Sequence, residues 1–112
     1  MAFERVAELD DLWDGEMASC RAGGRRIVLV RLGDAVRAYE DRCAHMGVAL
    51  SEGQLDQQVI TCTAHHYQYD ALTGRGINPA SVCLTRFPVR IDGGAIWVDG
   101  ESVIRERDDE RR

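Results

Sequence analysis

The chain has 112 residues, a formal net charge of −5 and 45% hydrophobic residues, the balance of one ordinary globular domain spanning residues 1–112. The acidity speaks against a nucleic-acid backbone as ligand, which calls for a basic face, and is compatible with a basic protein partner. No apolar run approaches the ~20 residues of a membrane span, and "MAFERVAELDD" lacks the basic-then-apolar layout of a signal peptide, so a cytoplasmic protein without membrane attachment is expected.

In chain order, "DDLWDG" near residues 10–15 is the one helical candidate, a single turn with Asp10 as its N-cap. Gly23-Gly24 suits a two-residue hairpin turn. It leads into "IVLVRL" (27–32), apolar and β-branched, which predicts a strand. Gly33-Asp34 turns the chain into "VRAYE" (36–40), where apolar and polar residues alternate. "QVITC" (58–62) predicts a short strand and "YQYD" (67–70) another, followed by the "LTGRG" turn. "LTRFPVRI" (84–91), "DGG" and "AIWVDG" (95–100) predict a final hairpin, with Pro88 marking an edge or an irregularity. The stretch from about 101 to 112 ends in "RERDDERR", a charged tail expected to be solvated. The expected fold is all-β, a small antiparallel barrel or sandwich. No glycine-rich loop opens a helix, so nucleotide binding has no support.

All three histidines stand beside cysteines. Cys43 and His45 are one residue apart, Cys62 and His65 two apart, and sixteen residues separate His45 from Cys62. Each pair is short enough for one tight loop to offer both side chains to a metal. Two Cys and two His could hold a tetrahedral zinc or a 2Fe–2S cluster with both cysteines on one iron and both histidines on the other. Zinc fingers usually pair like with like, whereas here each loop supplies one of each, as expected if each loop reaches across both irons.

"CAHMGVALSEG" and "ITCTAHHYQYDALTG" together resemble the two-box signature of Rieske proteins. The resemblance runs from the N-terminal "FERVAELDDLWDGEM" to "RFPVRIDGGAIWV", and "LSEG", "VITC-x-AH" and "TGRGINP" are most similar to the small Rieske ferredoxins of bacterial toluene and alkene monooxygenase systems. The resemblance implies a Rieske β-fold with one 2Fe–2S cluster held at a tip by two loops. It implies Cys43 and Cys62 as thiolate ligands, and His45 and His65 as ligands of the outer iron and the electron exit. A third loop, "GINPAS" (76–81), would pack over the cluster. His66, a position that is often glycine in related second boxes, is a bystander or a rim contact. The disulfide some respiratory relatives carry is absent, its positions being Val48 and Ala64 here. Cys20 and Cys83 are then expected as small buried apolar residues.

Two thiolates cancel the charge of an oxidised 2Fe–2S core and imidazoles add none, which is why this ligand set works at about −150 to +300 mV. Tyr69 lies four residues after His65. A tyrosine at this position in higher-potential relatives donates to the first-box sulfur, so Tyr69 is expected to donate to Cys43 and raise the potential. Imidazole ligation implies a potential that falls at alkaline pH. No nucleophile–base set is evident, so the chain is expected to carry electrons and not to act as an enzyme. The resemblance implies a monomer that takes one electron from an NADH-dependent flavin and iron–sulfur reductase and passes it to a diiron hydroxylase. Asp41, Glu52 and Asp56 are expected to guide docking. The ferredoxin of a ring-hydroxylating dioxygenase is the alternative reading, and a zinc-binding interaction module a remote one.

Overall fold

The computed structural model describes residues 3–43, 48–63 and 66–104. Its strands are β1 (Phe3–Glu8), β2 (Met17–Ala22), β3 (Arg25–Leu32), β4 (Ala35–Glu40), β5 (Gln54–Asp56), β6 (Val59–Thr61), β7 (Gln68–Asp70), β8 (Gly76–Asn78), β9 (Arg86–Phe87), β10 (Val89–Asp92) and β11 (Ala95–Asp99). They form three antiparallel sheets, in the orders β1-β11-β10, β2-β3-β4-β9 and β5-β6-β7-β8. The all-β expectation holds. Among the described residues no helix is long and apolar enough to cross a membrane.

The apolar run of β3 explains the layering. Ile27 and Leu29 point into one core with Leu12, Val36, Ala38, Phe87, Ile96 and Val98. Val28 and Val30 point the other way, into a core with Tyr39, Cys43, Leu50, Ile60, Cys62 and Tyr69. The second sheet is therefore covered on both faces, and a strand covered on both faces reads as a continuous hydrophobic run. Period-two alternation sorts Val36 and Ala38 from Tyr39 in the same way along β4.

Gly23 and Gly24 both have positive φ, 59° and 75°, and close the β2–β3 hairpin with the register Ala22↔Arg25, as a two-residue turn of the primed type requires. Pro88 separates β9 from β10, and the chain changes sheet there: Phe87 pairs with Ala38 of the second sheet, Val89 with Val98 of the first. The one long strand expected over 84–91 is thus two short ones, because proline cannot donate to a continuing ladder. Its carbonyl still accepts from Asp99 N–H at 3.2 Å.

The helical turn expected near 10–15 is shifted. A 3-10 turn covers Leu9–Asp11, its N-cap is Glu8 rather than Asp10, and Leu12 is already extended. Leu9 O accepts from both Leu12 N–H (3.2 Å) and the Arg31 guanidinium (3.0 Å), which also donates to Leu12 O at 2.7 Å and so ties the end of the turn to β3. Residues 101–104 of the expected tail are tied down in part. Ser102 and the Glu101 N–H bond the buried Asp99 carboxylate, and Ile104 N–H donates to Arg86 O at 2.7 Å. Residues 105–112 lie outside the described set.

Candidate metal centre

Cys43 follows β4 and Cys62 follows β6, and both are fully buried in the same core. Each opens a loop closed in the same way. Cys43 N–H donates to Val48 O at 2.7 Å, and Cys62 N–H donates to Tyr67 O at 2.8 Å, each five residues ahead. Neither cysteine forms a disulfide. The ends of the two loops are thus matched, with one sulfur at the start of each.

Gly53 brings the loops together. A side chain at this position would put its Cβ 2.2 Å from the carbonyl oxygen of Thr61, the residue before Cys62. Only a glycine lets the segment after the first loop approach the backbone that leads into the second. Gln54 then pairs with Thr61 to start the third sheet. Leu50, in a 3-10 turn over Leu50–Glu52, is fully buried against the core that holds both cysteines.

Tyr69 is fully buried on β7, and its hydroxyl oxygen is 3.3 Å from Cys43 Sγ. The phenol supplies a proton donor to a sulfur acceptor when Cys43 is a thiolate. Tyr39 spans the same core, its hydroxyl donating to Ala71 O at 2.7 Å. Of the expected third loop over 76–81, residues 76–78 are strand β8 paired with β7. Val82, just beyond that segment, packs against the cysteine core.

His45 and His65 lie outside the described residues, as does Ala64. His66 is exposed at φ +55°. Glycine occupies that left-handed backbone without cost, whereas a side chain such as this one rarely does. Three expectations are corrected. Asp41 does not face a docking partner: it is 4% exposed, and both its oxygens accept hydrogen bonds from Ser51. Cys83 is exposed rather than buried, and it pairs with Arg75 through an isolated bridge outside the strands. Cys20 is only partly covered. Burial pushes its thiol from 9.0 up to about 11, and the negative charge of Asp41 adds to the shift. Glu52 and Asp56 are exposed. The Asp41–Ser51 bonds were missed at the sequence level; "DRC" followed ten residues on by "LSEG" carries both residues but no periodic signal linking them.

The Rieske [2Fe-2S] domain family matches residues 2–88. The chain belongs to the Rieske [2Fe–2S] family. It is 40% identical over 102 residues to the ferredoxin component of the alkene monooxygenase system of Xanthobacter autotrophicus, covering 90% of this chain and 84% of that one. It is 35% identical over 102 residues to the ferredoxin component of biphenyl 2,3-dioxygenase of Rhodococcus jostii, covering 90% and 95%. A chain from the solved complex of reduced oxygenase and oxidized ferredoxin in carbazole 1,9a-dioxygenase superposes with a TM-score of 0.83 at 32% identity, covering 92% of this Rieske chain and 97% of that one.

The protein is therefore a Rieske ferredoxin, an electron carrier of oxygenase systems, with one 2Fe–2S cluster. The described part of the site fits that group. Two thiols are sequestered from water in one apolar core, each at the mouth of a short closed loop, with a phenol within reach of one sulfur. The same two thiols would also suit zinc, and it is the family, not the two sulfurs, that decides for iron and sulfide.

Proposed function

We propose that this Rieske ferredoxin passes single electrons from an NADH-dependent flavin and iron–sulfur reductase to a diiron hydroxylase that oxygenates an aromatic or alkene hydrocarbon. In this reading Cys43 and Cys62 hold one iron from inside the core, and His45 and His65 hold the other toward solvent and form the electron exit. The observation that carries the ligand assignment is the matched pair of loops, each opened by a fully buried cysteine whose N–H closes it five residues on. When bound, the cluster supplies a reversible one-electron site. The chain supplies the rest. Leu50, Ile60 and Val28 exclude water from the sulfur side. The Tyr69 hydroxyl lies where it would stabilise charge on Cys43, and the hydrogen-bonded loop ends hold both sulfurs in place.

The diiron partner is favoured by the likeness to the alkene monooxygenase ferredoxin. The second reading, a ring-hydroxylating dioxygenase as acceptor, rests on the biphenyl dioxygenase relative and on the carbazole dioxygenase complex. The protein acts in the cytoplasm as a monomer in either reading.

Visible and EPR spectra before and after dithionite test the ligand set. A rhombic signal in the reduced state, with average g below that of all-cysteine clusters, is expected. Its loss or conversion in His45→Ala and His65→Ala, with His66→Ala unchanged, assigns the outer ligands; the opposite pattern would move the assignment to His66. Mixing the reduced protein with a diiron hydroxylase and, separately, with a Rieske oxygenase distinguishes the two acceptors: the cognate one reoxidises it fast, and preference for the Rieske oxygenase rejects the diiron reading.

A further inference from the structure

The two cysteine loops differ in what holds their ends. The second lies inside a hairpin: β6 and β7 pair directly, and Thr61↔Gln68 fixes both sides of it. The first has no such ladder. It leaves β4 in the second sheet and arrives at β5 in the third, and these two strands do not pair with each other. Inside it stands the single bond from Cys43 N–H to Val48 O, and a loop joining separate sheets needs a further closure to hold its ends as a hairpin does.

Asp41 and Ser51 supply one. Asp41 Oδ1 accepts from Ser51 N–H at 2.8 Å, and Oδ2 accepts from Ser51 Oγ–H at 2.7 Å. Both carboxylate oxygens thus engage one residue ten positions ahead, across the mouth of the segment that contains Cys43. The base of the bracket is itself fixed, since Asp41 N–H donates to Arg26 O on β3 at 2.9 Å. On the far side, Leu50 is locked in the cysteine core beside Ser51. A carboxyl group with 4% exposure is costly unless its oxygens are satisfied, and both of these accept from Ser51. A carboxylate buried here for no purpose would be a net loss.

We propose that Asp41 is a positioning residue for the cluster: its paired bonds to Ser51 replace the missing strand ladder, clamp the mouth of the first loop, and so hold Cys43 on the iron. The proposal rests on Cys43 being a ligand. It predicts an asymmetry between the loops, in which the first would open early if the clamp were cut while the second stays closed by its hairpin.

The test measures cluster release from the holoprotein, as loss of visible absorbance in excess ferrous chelator, with far-UV circular dichroism as the check on the fold. Asp41→Ala leaves two donors of Ser51 without their partner and is expected to release the cluster about tenfold faster or more. Asp41→Asn is the conservative rescue. Its amide oxygen still accepts from Ser51 N–H and its NH2 group donates to Ser51 Oγ, so release is expected within about threefold of the wild type. A wild-type rate in Asp41→Ala overturns the clamp. Asp41→Asn releasing as fast as Asp41→Ala also overturns it, because charge and not geometry would then be the function. If Asp41→Ala does not fold, Ser51→Ala decides: it removes one of the two bonds, and an unchanged release rate overturns the proposal. Cys43→Ser is measured in parallel. A wild-type spectrum in that variant defeats the ligand assignment whatever the clamp variants do, whereas an altered spectrum with an inert Asp41→Ala defeats the clamp alone.

Discussion

The Tyr69 hydroxyl and the Cys43 sulfur are 3.3 Å apart in a core sealed from water. With Cys43 as the proposed ligand, a donor aimed at its sulfur stabilises the reduced site, which carries one more negative charge, more than the oxidised one. A net hydrogen-bond worth of about 0.5–1.5 kcal/mol corresponds to roughly 20–60 mV for one electron. Tyr69→Phe should therefore lower the midpoint potential by that amount with the cluster retained; voltammetry showing no change would leave the phenol as packing only. Cys20 carries a different consequence. Its thiol is pushed up to about 11 in the fold from an ordinary 9.0. The unfolded chain thus loses this proton first as pH rises, and deprotonation favours unfolding between pH 9 and 11. Below pH 9 the residue is neutral in both states and contributes no pH dependence. Thermal melts should show the wild type losing stability across that window more steeply than Cys20→Ala, with the two curves parallel below it.

At the scale of elements, the third sheet and the first loop meet at Gly53, where an added Cβ would stand 2.2 Å from Thr61 O. Backbone cannot yield as a side chain can, so Gly53→Ala must push the 3-10 turn at Leu50–Glu52 away from β6 or break the Gln54↔Thr61 pairing. The expected cost is about 1–3 kcal/mol in chemical denaturation, together with weaker cluster retention, since the displacement falls between the two cysteine loops. An alanine variant as stable as the parent would mean that the approach is looser than this geometry. Much of this element was legible beforehand: the two boxes, their cysteines, and the strands at 27–32, 36–40 and 95–100 all follow from pattern and motif. Other elements were not. Strand β1 exists because Phe3 to Glu8 pair with the far end of the chain, at Asp99 to Ala95, and no local periodicity announces a partner some ninety residues away. Strand β5, Gln54–Asp56, has no β-branched or aromatic residue, so nothing in its composition marks a strand. The buried role of Asp41 was hidden for a related reason: a carboxylate next to a metal box reads as surface charge until the residue that bonds it, ten positions on, is seen.

The whole molecule separates two tasks with one sheet. Val28 and Val30 face the core with the cysteines, and Ile27 and Leu29 face a core made with the strands of the first sheet. A carrier that meets an oxygenase component gains from this division, because one core can be rigid around the cofactor while the far sheet bears none of its constraints. Charge is one means of recognition. The chain carries 19 acidic against 14 basic residues. With Asp41 withdrawn into the loop mouth, Glu52 and Asp56 are left exposed on the segment that follows the first cysteine loop. Charges there act on encounter more than on the bound complex, as they steer approach over about one Debye length, ~8 Å at physiological salt. Electron transfer to the oxygenase component should then slow by about three- to tenfold as salt rises from low to moderate concentration. The Glu52→Gln and Asp56→Asn double variant should start slower and respond less, with its midpoint potential unchanged. A rate indifferent to salt would place recognition in shape and apolar contact instead, and the acidic balance of the chain would then serve solubility alone.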